Sequence, residues 1–173
     1  MLCIILLIYV ALSVLTAAVM RRKHRKEVEG LRVPSKRWLY YLIQFTWGLP
    51  INIIGAVVAG VLLLCKKRPY WYEWHLCFEL PTHSGMNLGI FVMLPHGALM
   101  NMKMHEVGHG IQNMYVGPMF IGSIAIPSVI RFWWRKLLFH LGKEPEAQYD
   151  DVWFEGQATR LGKKFIQERN DPR

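Results

Sequence analysis

At 173 residues the chain suits one modest domain, or a smaller domain carrying a membrane anchor. It is 53% hydrophobic and only 19% charged, more apolar and less charged than an average soluble domain. Its formal charge of +9 is concentrated in a run between two apolar segments. That run has no aromatic interleaving and no recognisable binding motif, which argues against nucleic acid as the partner and for an orientation signal beside a bilayer.

Residues 1–20 contain no charge and no proline, and twenty helical residues reach about 30 Å, enough to cross a bilayer. A cleaved signal peptide would need a basic stretch before the apolar core, whereas here the basic residues follow it, so a retained transmembrane helix is expected. Residues 21–37 hold eight Lys/Arg, among them Arg21, Arg22, Lys36 and Arg37, against Glu27 and Glu29. The positive-inside rule sets this loop in the cytoplasm. Residues 38–64 are again uncharged, and as one helix they would be about 40 Å long, so tilting or kinking is expected, at Gly48 and Pro50. A re-entrant hairpin is the alternative for this segment. Residues 1–68 thus read as a membrane anchor and 69–173 as the folded domain. Cys3, Cys65 and Cys77 form neither a CxxC pair nor a disulfide framework.

Past Tyr70, histidines, acids, glycine and proline appear. Residues 85–94 are rich in strand formers between Gly85 and Pro95 and predict a strand. Residues 98–115 predict a helix ended by Gly117-Pro118. It carries His105-Glu106-Val107-Gly108-His109. Two histidines at i and i+4 share a helix face and can address one ion, and Glu106 stands beside the first, placed to take a proton from water activated by a metal. Gly108 costs helix stability, which suggests close packing there. Residues 116–134 are apolar but broken by Pro118, Gly122 and Pro127, and resemble a buried segment or one lying against the bilayer more than a full span. Residues 137–150 predict a loop with turns at Gly142 and Pro145, residues 151–168 a second helix, and 170–173 a frayed tail. The remaining histidines, His24, His75, His83 and His96, are expected at the surface or in loops.

A catalytic zinc usually takes three protein ligands. The three-histidine pattern fails, since Gln112 and Tyr115 stand where Gly and the last His would be. Among downstream acids Glu155 is the best third ligand, 46 positions after His109 on the second helix, with the small Ala158 permitting close approach of the two helices. Asp150, Asp151 and His140 are alternatives, Asp151 first among them because it lies one turn before Glu155. Tyr149 and His140 are candidates for stabilising an oxyanion.

Glu155-x-x-Ala158 resembles the second motif of gluzincin-type membrane metalloproteases, usually Glu-x-x-Ala-Asp. More widely, Gly85 to Val92, His105 to Gln112, Val116-Gly117-Pro118-Met119-Phe120, Ile126-Pro127-Ser128 and Glu155 to Gly162 are similar, in order, to small bacterial membrane proteins with an HEYGH-type motif. The resemblance covers residues 85–162. With the two N-terminal transmembrane segments read from hydropathy, the fold expected is mainly α with a short strand or small sheet, and for the domain that follows the resemblance implies a small zincin-like α+β fold. It also implies Zn2+ held by His105, His109 and Glu155, Glu106 as general base, and an edge strand (Asn87, Leu88, Gly89, Ile90) that pairs with extended substrate. The departure is Thr159 where the family has an acid beside a ligand histidine, so Thr159 or Asp151 must serve instead. The expected function is a zinc metallopeptidase of the bacterial inner membrane, acting on membrane or membrane-adjacent proteins. The alternative is a membrane protein whose zinc is structural, or whose activity is lost, and which works through protein contacts.

Overall fold

The computed structural model describes residues 1–26, 32–144 and 148–170, and the side chains of all of these except 23–26 and 170. The middle of the basic loop, the side chain of His24, the turn at Pro145 and the tail beyond Asn170 lie outside the described residues. Six α-helices and one four-stranded mixed sheet account for most of the described chain. It divides into two compact units, Met1–Gly30 with Met119–Gln157, and Leu31–Pro118 with Ala158–Arg173.

In the first unit, α1 (Leu2–Lys26) is the long N-terminal helix. Its apolar side chains are largely exposed, apart from a stripe of Tyr9, Ser13, Thr16, Ala17 and Met20 spaced by three and four residues. A π-helical turn, Ile121–Ala125, packs on that stripe and leads into α5 (Ile126–His140). The loop expected from residue 137 therefore starts only after His140. Apolar and aromatic side chains carry the helix through Leu137, Leu138 and Phe139, and the carbonyls of Leu137 to Phe139 are closed by the Leu141 amide.

The second unit contains α2 (Arg37–Phe45) and α3 (Leu49–Leu64), which meet at 93°. The second apolar stretch is therefore not one membrane-crossing helix. Among the described residues a single helix, Leu2–Arg22, is by itself long and apolar enough to cross a membrane, rather than the two expected; the number reaches three only if each of two bent helix pairs is counted as one span. The break falls where the kink is expected, with Gly48 at the N-cap of α3 and Pro50 in its first turn, and polar side chains inside the apolar run secure it. Asn52 Nδ2 donates to the carbonyls of Gln44 and Gly48 and to Gln44 Oε1, at 2.8–3.0 Å, and Asn113 Nδ2 donates to the same Gln44 Oε1 at 2.6 Å. The freed carbonyls of the broken helix are thus satisfied by amides instead of by a continuing helix.

The sheet follows: β1 (Pro69–Tyr72), β2 (His75–Leu80), β3 (Met86–Leu88) and β4 (Phe91–Pro95), in the order β1-β2-β4-β3. β1 and β3 pair antiparallel to their neighbours, and β2 runs parallel to β4. The strand expected over 85–94 is thus two strands. Gly89 and Ile90 form the turn between them, with Gly89 at φ +79 and its amide held by Asn87 Oδ1 at 2.9 Å. Asn87 and Leu88 do lie on an edge strand, whereas Gly89 and Ile90 do not. The Ile90 amide bonds Asn52 Oδ1 at 2.8 Å, which ties the turn to α3.

Helix α4 (Met100–Val116) packs on β3 and on α2, and ends at Gly117 as expected. Helix α6 (Trp153–Asn170) runs without interruption from Glu155 through Thr159 to its basic last turn. The core of this unit gathers Tyr40, Trp74, Ile90, Val107, Ile111, Leu161 and Phe165. His75 belongs to this interior rather than to the surface, with 1% exposure and its Nε2 2.8 Å from the Tyr40 hydroxyl. Strand alternation turns it inward with Cys77, and the Tyr40 ring packs against it at a tilt, 5.5 Å between centroids. His83 and His96 are exposed, His96 beside Glu79.

Candidate metal centre

The local sequence of α4 explains how the motif is held. From Glu106 to Asn113 every residue is buried, so a full two turns are packed. Two glycines let the neighbouring helix in. A Cβ on Gly108 would collide with the carbonyl of Ala158 in α6, and one on Gly162 with the carbonyl of Met104. Backbones therefore touch at two levels, one turn apart on each helix. On another side Gly110 leaves room for His75 Nε2 and the Tyr40 hydroxyl, while Gln44 Nε2 donates to the Gly110 carbonyl at 2.7 Å.

This packing fixes the imidazoles. The Nε2 atoms of His105 and His109 are 3.1 Å apart. Two nitrogens bound to one tetrahedral zinc at about 2.0–2.1 Å would stand about 3.3 Å apart, so the pair is spaced as co-ligands. His109 Nδ1 lies 2.8 Å from Gln112 Oε1, which can only accept; Nδ1 therefore carries the proton and Nε2 presents its lone pair. His105 Nδ1 lies 2.8 Å from Thr159 Oγ1, so a hydroxyl stands at the outer nitrogen of this ring.

The third group is Glu155, fully buried on the first turn of α6, with its Oε1 accepting from Ser128 Oγ at 2.6 Å. One ligand atom from each of His105, His109 and Glu155 lies within 4.8 Å of the others, and this is the group of three among the described residues that could hold a metal ion. Glu155 and Thr159 are four residues apart, so one face of α6 presents both the carboxylate and the partner of His105. Two nitrogens and one oxygen are a donor set that suits zinc. Glu106 is 5% exposed, with its side chain against Gly85, where a Cβ would meet the carboxyl group. Its backbone carbonyl accepts from Asn87 Nδ2 of the edge strand at 2.9 Å.

The other candidates stand elsewhere. Asp151 Oδ2 accepts the Gln148 amide at 2.7 Å and caps the short 3₁₀ turn Tyr149–Asp151, so its carboxylate serves that turn. Asp150 and His140 are exposed and outside the ligand group. The Tyr149 ring lies under the guanidinium groups of Arg131 and Arg135, each 5.8 Å from its centroid. Arg160 is exposed on α6.

Two partners of the site are not assigned by the sequence pattern. Gln112 enters there as a departure from the three-histidine motif and as the end of the matched stretch His105 to Gln112, with no role given to it, although a glutamine three residues after a histidine can reach back to its ring. Ser128 is one residue of a Pro-Ser motif, and nothing in its spacing points to Glu155. Compared with known proteins, the chain matches no family model, no curated protein and no solved structure.

Proposed function

We propose that this chain is a membrane-anchored zinc metallopeptidase of the His-His-Glu kind. The single observation that carries the reading is the convergence of His105, His109 and Glu155 within 4.8 Å, with Glu106 adjoining His105 on the same helix. Zinc held by these three would supply a Lewis acid and make water acidic enough to yield a nucleophile near neutral pH. Glu106 takes the proton from the attacking water and returns it to the leaving amine. The packing of its side chain against Gly85 limits where that carboxylate can swing. Thr159 and Gln112 hold the outer nitrogens of the two imidazoles, and Ser128 orients Glu155, so the donors are arranged before any ion arrives. β3, whose Asn87 bonds the Glu106 carbonyl, is an edge strand and supports binding of an extended peptide by β-augmentation. The apolar helix Leu2–Arg22 supports an integral-membrane location.

A second reading, a structural zinc in an inactive membrane protein, is favoured by the burial of Glu106, His109 and Glu155. Structural sites are closed, whereas catalytic ones keep a position open. The two readings separate in one experiment on the full chain purified in detergent. Under the peptidase reading, one zinc is bound per chain, Glu106→Gln keeps it, and peptide hydrolysis is lost in that variant alone. Zinc retained in both proteins with neither cleaving a peptide library establishes the structural reading, and no zinc in the native chain refutes both.

A further inference from the structure

The first unit contains its own depth gauge for the bilayer. Helix α1 is long and apolar enough to cross a membrane over Leu2–Arg22, and the midpoint of that stretch falls near Leu12, with Ser13 one residue on and Tyr9 three residues before. The buried stripe of α1 passes through those two residues. The Tyr9 hydroxyl accepts the Gly122 amide at 3.2 Å, and the Ser13 hydroxyl lies 3.8 Å from Met119 Sδ. A Cβ on Gly122 would meet the Ser13 side chain, so the π-helical turn sits directly against the centre of α1. From Gly122 to Ser128 is six residues. Even aligned with the bilayer normal, six helical residues rise about 9 Å. Half the hydrocarbon thickness is about 15 Å. Ser128 Oγ in turn donates to Glu155 Oε1 at 2.6 Å.

We infer that the Glu155 carboxylate, and with it the candidate metal site, lies at hydrocarbon depth, and that the substrates are membrane-embedded helices cut within their apolar segments. The substrate class rests on the peptidase reading above; the depth does not. The surroundings agree with this depth. Ile126, Val129 and Ile130, which flank Ser128, are about half exposed or more, as lipid-facing side chains of a helix inside the bilayer would be. A buried carboxylate at that depth is costly unless it is hydrogen-bonded or binds a metal, and the Ser128 hydroxyl together with the metal site supplies both. Peptide hydrolysis there consumes one water and one peptide bond and yields a carboxylate and an amine, so water must reach the site from an aqueous face of the protein while the substrate enters from the lipid.

The test uses the full chain with its three cysteines, Cys3, Cys65 and Cys77, replaced by alanine, reconstituted in phospholipid vesicles. Single cysteines at Leu12, Ile126, Val129 and Leu141 carry a nitroxide, and its accessibility to oxygen and to a water-soluble nickel chelate reports depth. Labels at Ile126 and Val129 should read the same depth as Leu12 to within one helical turn, about 5.4 Å, with Leu141 shallower. Water-exposed labels at Ile126 and Val129 beside a lipid-embedded Leu12 overturn the inference, as does a water-exposed Leu12. The substrate class is then read by co-reconstituting a single-span helical reporter and, separately, adding unfolded casein outside the vesicles. Cleavage inside the reporter's apolar segment, absent with Glu106→Gln, upholds it. Cleavage of casein alone, or of the reporter only outside that segment, overturns it. Cleavage of neither overturns the peptidase reading beneath it and leaves the depth result standing.

Discussion

Replacing Gly108 by alanine probes the contact that builds the site. By helix propensity alone the change should stabilise α4 by about 1 kcal/mol. The structure opposes it, because the new Cβ would collide with the Ala158 carbonyl, which is backbone and cannot rotate away. The helices must separate, and overpacking of this kind costs about 1–3 kcal/mol. Separation also stretches the 2.8 Å bond between His105 and Thr159, a further loss of about 1 kcal/mol. The sum is a net destabilisation of about 1–3 kcal/mol, with zinc affinity reduced about tenfold or more because Glu155 and Thr159 move together on α6. Gly60 is the internal control. It lies inside α3 with nothing within 4 Å of an added methyl, so Gly60→Ala should be neutral or slightly stabilising. The assay is chemical unfolding in detergent with and without zinc, alongside chelator competition for the metal. If Gly108→Ala matches Gly60→Ala in stability and keeps native zinc affinity, the close crossing of α4 and α6 is wrong.

Thr159→Val keeps the shape but removes the acceptor of His105, and chelator competition should show zinc affinity falling by about 10–100-fold; Thr159→Asp, which restores a carboxylate, should raise it above native. Burial holds the His75 imidazole far below its ordinary value of 6.5, at about 3. Between those values the unfolded chain binds the proton and the folded chain does not, so stability should fall as pH drops below about 6.5, by up to about 1.4 kcal/mol per pH unit. His75→Gln should flatten that acid limb by one proton, measured as the pH dependence of the unfolding midpoint; an unchanged slope would mean that His75 is accessible to protons in the fold.

Much of the site was legible because helical geometry is local. The spacing of His105 and His109 fixes a shared face whatever surrounds the helix, and Gly108 with Ala158 announced a close crossing because only small residues leave room for one. Glu155 could be nominated by its distance along the chain and its small neighbour. What remained hidden depends on neighbours far apart in sequence. Thr159 was readable as a departure from an acid, while its hydroxyl lying against His105 follows only from the register of α6 on α4. Gln44 and Asn52 were two polar residues in an apolar run and could have flagged the bend, yet hydropathy sums composition and cannot see that their amides cap broken-helix carbonyls. Strands β1 and β2 were missed because four to six residues of mixed aromatic and polar character carry little periodicity.

By itself, then, the sequence determined the motif helix, the apolar first helix and the residue types able to hold a metal, since these follow from spacing and composition along one segment. The tertiary structure alone decided that the second apolar stretch bends by as much as 93°, that His75 is interior, and that Thr159, Gln112 and Ser128 hold the three candidate ligands in place. Each of these depends on a hydrogen bond or a packing contact between side chains, and such contacts exist only once separate turns of the chain have been brought to within a few ångströms.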